Sequence, residues 1–194
     1  AILPLGGCGA AALMAANLVH FMKMRMLRCT FWLCLASLGA GSLSVLADQT
    51  WEGTINNQWN NGGNWSGGLP GPGDAVIYNN LSSQNLGGVL GQDFTVKELV
   101  LSNVPGPVSI DGANTLTLAP TSFDYSSVVG TATTGFMMRV RMTNAAQNLT
   151  LSAPVALGAN QCWAVTDNQS LDVAGPISGS FGLYKDGPGT LTLE

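Results

Sequence analysis

Five short segments share one pattern, an apolar residue, any residue and a second apolar residue: Leu99-Val100-Leu101-Ser102, Leu116-Thr117-Leu118-Ala119, Leu149-Thr150-Leu151-Ser152, Leu171-Asp172-Val173-Ala174 and Leu191-Thr192-Leu193-Glu194. Their starts lie 17, 33, 22 and 20 residues apart, and Pro120, Pro154 and Pro176 follow three of them closely. Each segment has the period of two of a β-strand, is bounded by turn-forming residues, and is too small to bury its own apolar face. Stacking similar units solves that problem. The pattern therefore predicts an all-β chain wound as a right-handed parallel β-helix, or β-solenoid, with coils of about 20 residues. A β-sandwich is the alternative, because regularly spaced short strands are also its signature. The run from Phe136 to Met142 alternates as well, with Met138, Val140 and Met142 on one side and both Arg139 and Arg141 on the other; it reads as an extra strand.

Composition agrees with stacking. Charged residues make up 9% of the 194 positions, against roughly 25% in an ordinary soluble domain. Like charges stacked at the ~4.8 Å strand spacing repel, whereas uncharged Asn and Thr can form ladders. From position 48 onward the chain holds fourteen Asn and fourteen Thr against fifteen charged residues. With 25 Gly and 9 Pro it is too rich in helix breakers for a bundle.

The first 47 residues read differently. Met22-Lys23-Met24-Arg25-Met26-Leu27-Arg28 is a basic start, Cys29 to Leu46 is an apolar stretch, and Val45-Leu46-Ala47 offers small residues three and one before a cut. These are the parts of a secretory signal peptide. The apolar stretch contains Ser37, Gly39, Gly41, Ser42 and Ser44 and falls short of the ~20 apolar residues of a membrane span. The expected organisation is therefore 1–21, an over-extended start or disordered; 22–47, a helical signal peptide; 48–95, a lead-in rich in Trp, Asn and Gly that forms an N-terminal cap; and 96–194, solenoid rungs truncated at the C-terminus. Cleavage after Ala47 removes Lys23, Arg25 and Arg28 and leaves four basic residues against eleven acidic ones, a net charge of −7. Such a body is not expected to bind nucleic acid, which cationic side chains hold through phosphate. It also keeps a single cysteine, Cys162, so no intrachain disulfide is available.

Two stretches resemble the bacterial autotransporter-associated β-strand repeat proteins, large exported proteins with repetitive passenger regions. Gly179-Ser180-Phe181-Gly182-Leu183-Tyr184-Lys185-Asp186-Gly187-Pro188-Gly189-Thr190-Leu191-Thr192-Leu193 is similar to the repeat itself. Thr50-Trp51-Glu52-Gly53, Trp59, Gly63-Asn64-Trp65-Ser66, Gly68-Leu69-Pro70 and Gly73-Asp74 are similar to the lead-in that follows the signal in such proteins. The resemblance implies an elongated β-helical passenger at the cell surface or secreted by Gram-negative-type export, without assigned catalysis. It also implies that membrane contact is limited to the signal peptide or to a missing C-terminal anchor.

Candidate residues for chemistry are few. The single histidine, His20, precedes the signal, which removes His-dependent triads and zinc sites. Trp51, Trp59 and Trp65 with Asn64 form the densest aromatic and amide cluster. Such residues either close the open first coil as a cap or bind a glycan, with rings stacking on sugar faces and amides meeting hydroxyls. Asp74 is expected to bond local backbone amides at a turn. Arg139 and Arg141, read as sharing one face, are the best argument for a lyase-like enzyme, with a solvated strand face as the plainer reading. The carboxylates Asp124, Asp167, Asp172 and Asp186 are scattered, which leaves no defined pair for glycoside hydrolysis. Cys162, in an apolar strand, is expected to be a buried, inert thiol.

The sequence thus predicts an exported, noncatalytic passenger or stalk segment, with no metal and no cofactor. A glycan-binding module with cell-surface or extracellular polysaccharide as its partner is the second reading, and a polysaccharide lyase-like β-helix enzyme is the third.

Overall fold

The computed structural model describes residues 48–119, 137–143, 147–166 and 168–194. The expected signal peptide, the segment before it, and Asp124 and Asp167 lie outside them.

The described chain winds through three parallel sheets. Face A holds β1 (Gln49–Thr50), β2 (Ala75–Tyr78), β5 (Glu98–Ser102), β8 (Met137–Thr143), β11 (Gln161–Ala164) and β14 (Leu183–Asp186). Face B holds β3 (Gly87–Val89), β6 (Val108–Asp111), β9 (Leu149–Leu151), β12 (Ser170–Val173) and β15 (Thr190–Leu193). Face C holds β4 (Phe94–Val96), β7 (Leu116–Leu118), β10 (Val155–Leu157) and β13 (Ile177–Ser178). The chain visits A, B and C in turn and returns to A one rung further on, which makes a β-solenoid of about five turns. Every pairing between these strands is parallel. That excludes the antiparallel β-sandwich.

Alternation puts one side chain in two into the shared interior. Val76, Leu99, Val140 and Trp163 align across face A, Val108, Leu149 and Leu171 across face B, and Phe94, Leu116 and Val155 across face C. All of them are buried. Thr150 and Asp172, one position along, are half-buried on the outside. Leu191 packs partly against the core, while Leu193 on the edge strand β15 is 53% exposed.

The coil is longer than the sequence spacing indicated. Phe94 pairs with Leu116 and Val155 with Ile177, each 22 positions on. Leu116 pairs with Val155, 39 positions on; the additional 17 lie between β7 and β8. The five sequence segments are consequently not five copies of one strand. Leu99 lies on face A, Leu116 on face C, and Leu149, Leu171 and Leu191 on face B. All three faces need an inward, outward, inward triplet, so the pattern recurs within a coil as well as between coils. The first complete coil, β2 to β4, begins at Ala75 rather than at 96, since its strands lack the Leu-x-Leu signature.

Corners are tight. Gly187 sits at φ +78°, and a Cβ there would lie 2.4 Å from the Val165 carbonyl oxygen of the rung below. At Gly189 a Cβ would meet the Thr166 carbonyl oxygen at 2.1 Å. The glycines of the repeat-like motif thus let one corner stack closely on the next. Polar side chains complete the stacking by accepting from backbone donors of the next rung. The Asn148 Oδ1 accepts from the Ser170 N–H at 2.9 Å, Asn160 Oδ1 from Gly182 N–H at 2.9 Å, and Asp93 Oδ1 from Thr115 N–H at 2.8 Å. Each reaches 22 residues ahead, one rung on.

Candidate functional site

The structure gathers Trp51, Trp59, Trp65 and Asn64 at the start of the solenoid. Their relative exposures are 0, 0, 4 and 0%. Trp59 meets all three faces of the first coil. Its indole packs edge-on against Phe94 of face C, with centroids 5.5 Å apart. Its Nε1–H donates to the Tyr78 hydroxyl of face A at 3.1 Å. On face B, a Cβ on Gly88 would lie 2.4 Å from that nitrogen, so only glycine leaves room for the ring. Trp51 and Trp65 pack over this plug, with Trp65 edge-on to Trp59 at 5.0 Å and to Trp51 at 4.8 Å. The remaining indole donors also find carbonyl oxygens, Trp65 that of Trp59 at 2.8 Å and Trp51 that of Gln84 at 3.3 Å.

The backbone of the lead-in closes two sheet edges. β1 pairs with β2, and the Trp51 N–H extends that ladder to the Ile77 carbonyl. On face B, Trp59 N–H donates to the Val89 carbonyl and Val89 N–H donates to that of Asn57, both at 2.8 Å. An uncovered edge would present unpaired donors and acceptors to other chains.

Asn64 holds the loop that carries Trp59. Its Oδ1 accepts from the N–H groups of Ile55 at 2.9 Å and Asn56 at 3.1 Å, while its Nδ2 donates to Asn56 Oδ1 and the Gln58 carbonyl at 2.8 Å each. Those four bonds use the whole capacity of a buried amide. Asp74 also acts locally, accepting from the Gly71 N–H at 2.9 Å. A sugar-stacking platform requires a ring face open to solvent. None of these three rings has one, and what the cluster provides is a dry plug at the end of the coil.

Arg139 and Arg141 do not share a face, contrary to the alternation expected of their strand. Met138 pairs with Cys162, but Val140, two residues on, pairs with the next residue, Trp163. Arg139 is the extra residue of a β-bulge, which breaks the alternation. It is buried, with Nη1 donating to the Met138 carbonyl at 2.7 Å. Arg141 resumes the outward course and pairs through Nε with Glu98 Oε1 at 3.0 Å. The two guanidiniums therefore do not share a surface. Burial holds the Glu98 carboxyl above its ordinary range despite the opposing pull of Arg141, Lys97 and Arg139. Cys162 is fully buried; burial, aided by Asp186, pushes its thiol up to about 11. That is far from a reactive thiolate. Among the described residues, no group of three or more His, Cys, Asp or Glu side chains could hold a metal ion. No helix among them is long and apolar enough to cross a membrane.

Tyr78, Phe94 and Gly88 were not legible as parts of this cluster. They lie 19, 35 and 29 residues from Trp59, and only the winding of the coil brings them to it. Compared with family models, curated proteins and solved structures, the chain gives no match.

Proposed function

We propose that the region from Asp48 onward is an exported, noncatalytic β-helical passenger or stalk segment of a large cell-surface or secreted bacterial protein, of the autotransporter-associated repeat kind. The observation that carries this reading is the contact of Trp59 with all three faces of the first coil. A plug of this kind marks where a solenoid starts, and it begins within a few residues of the expected cleavage after Ala47. A stalk needs a closed first coil and rungs that hold together without staples. Both needs are met here by apolar stacking and one-rung backbone bonds. The most buried acid among the described residues, Glu98, is tied to Arg141 in an ion pair, an arrangement suited to structure.

N-terminal sequencing of exported material tests the reading. A mature chain starting at Asp48 and recovered outside the inner membrane is expected. A chain retaining Lys23 to Ala47, or remaining in the cytoplasm, contradicts it.

A further inference from the structure

A groove of about 430 Å³ runs along the corner between faces A and B in the last three coils, lined by Asn148, Asn168, Gln169, Ser170, Gly189 and Thr190. Register explains its shape. Leu149, Leu171 and Leu191 stack in face B, so the residues before them, Asn148, Ser170 and Thr190, form a column with one polar side chain per rung. Gly189 cannot carry a side chain, because its Cβ would overlap the Thr166 carbonyl oxygen, and the groove stays open beside it. Asn168 stands at φ +60° and is exposed; Gln169 is half-buried.

Among the described residues the lining contains no charged side chain, and the one carboxylate beside it, that of Asp172, accepts from the Ser170 hydroxyl. A neutral ligand fits such a lining better than a charged one. The lining does offer uncommitted hydrogen-bonding capacity. The Asn148 Oδ1 is engaged with the Ser170 N–H and the Ser170 hydroxyl with Asp172. No hydrogen bond of the Asn168, Gln169 or Thr190 side chains is present among the described residues. Two adjacent amides on one rung and a hydroxyl on the next supply both donors and acceptors, and Pro188 adds an apolar surface. Neutral polyhydroxylated chains match that chemistry, with hydroxyls for the amides and C–H faces for the proline ring.

We propose that this corner groove is a binding site for a neutral polysaccharide, separate from the Trp plug. The proposal goes beyond the stalk reading and does not depend on it: a chain that is never exported can still bind, and an exported stalk can fail to.

Affinity electrophoresis of the full chain in gels containing barley β-glucan, galactomannan or dextran, with polygalacturonate as the charged comparison, is the test. The variants are Asn168→Gly with Gln169→Ala, and separately Thr190→Val. Glycine accepts the left-handed backbone at 168 and valine keeps strand propensity at 190, so melting temperatures should stay near that of the wild type. Retention by at least one neutral polysaccharide is expected, weakened about tenfold to a hundredfold in the double variant through its lost hydrogen bonds. The Thr190→Val chain should be weakened less. Absence of retention on all three neutral gels, retention on polygalacturonate alone, or unchanged retention in a folded double variant overturns the proposal.

Discussion

The Trp59 indole N–H donates to the Tyr78 hydroxyl at 3.1 Å, and both residues are fully buried. The bond joins the lead-in to the first strand of the first complete coil. It also satisfies two polar groups that would otherwise be left in an apolar plug. Replacing Trp59 with Phe keeps most of the ring but strands the Tyr78 hydroxyl, at a cost of about 1 to 3 kcal/mol. Gly88→Ala keeps every contact and fails on space, because its Cβ would lie 2.4 Å from the indole nitrogen. It should cost roughly 1 to 3 kcal/mol by overpacking. Urea unfolding of both variants measures this; a Gly88→Ala chain as stable as the wild type would show that the plug does not fill the first coil.

Asn64 gives a sharper polar test. Asn64→Asp retains shape and the two acceptor bonds but turns both donors into an oxygen facing Asn56 Oδ1 and the Gln58 carbonyl. A loss of roughly 2 to 4 kcal/mol at pH 7 is expected. Protection of the Trp59 and Val89 amides against hydrogen exchange should fall with it. Unchanged protection would mean that the 55–64 loop is held by other contacts.

Along face B, truncating Leu171 to Ala should cost about 2 to 5 kcal/mol, since it is fully buried between Leu149 and Leu191. Asp172→Ala, on the outside of the same strand, should cost less than about 1 kcal/mol. Leu193→Ala should also be mild, because that side chain is 53% exposed. Equal losses at Leu171 and Asp172 in chemical denaturation would contradict the inward and outward assignment.

Glu98 makes stability depend on pH in a defined direction. Burial raises its folded-state value above the ordinary 4.5, so the native protein holds this proton more tightly than the unfolded chain does. Below 4.5 both states are protonated and the group is neutral in effect; its contribution turns unfavourable as pH rises from there through the folded-state value. Glu98→Gln removes this proton linkage. The stability of wild type relative to the variant should therefore decline between acidic and neutral pH. A difference that grows with pH would show that the attraction of Arg141 outweighs burial.

Much of this was legible in the sequence, and the boundary has physical causes. Alternation at Leu149-Thr150-Leu151 and Leu171-Asp172-Val173 is local and therefore readable, and the recurrence of such segments at comparable spacing pointed to parallel stacking in coils of about 20 residues, close to the 22 found. Assigning Leu99 and Leu116 to different faces was not possible, because each face imposes the same triplet. The bulge at Arg139 left no mark either: Met137-Met138-Arg139-Val140 alternates no less well with the bulge than without it. At the candidate site, the density of Trp and Asn between positions 51 and 65 marked the cluster and raised both cap and platform. Choosing between them needed the burial of the rings, which depends on Tyr78, Phe94 and Gly88 arriving from three different faces.

The most direct measurement of the account is equilibrium unfolding of Trp65→Ala alongside its electrophoretic retention on neutral polysaccharide gels. If the Trp cluster closes a stalk, the variant loses about 3 to 5 kcal/mol through lost burial while keeping whatever retention the wild type shows. Retention abolished at unchanged stability would make the cluster a binding surface and contradict the account.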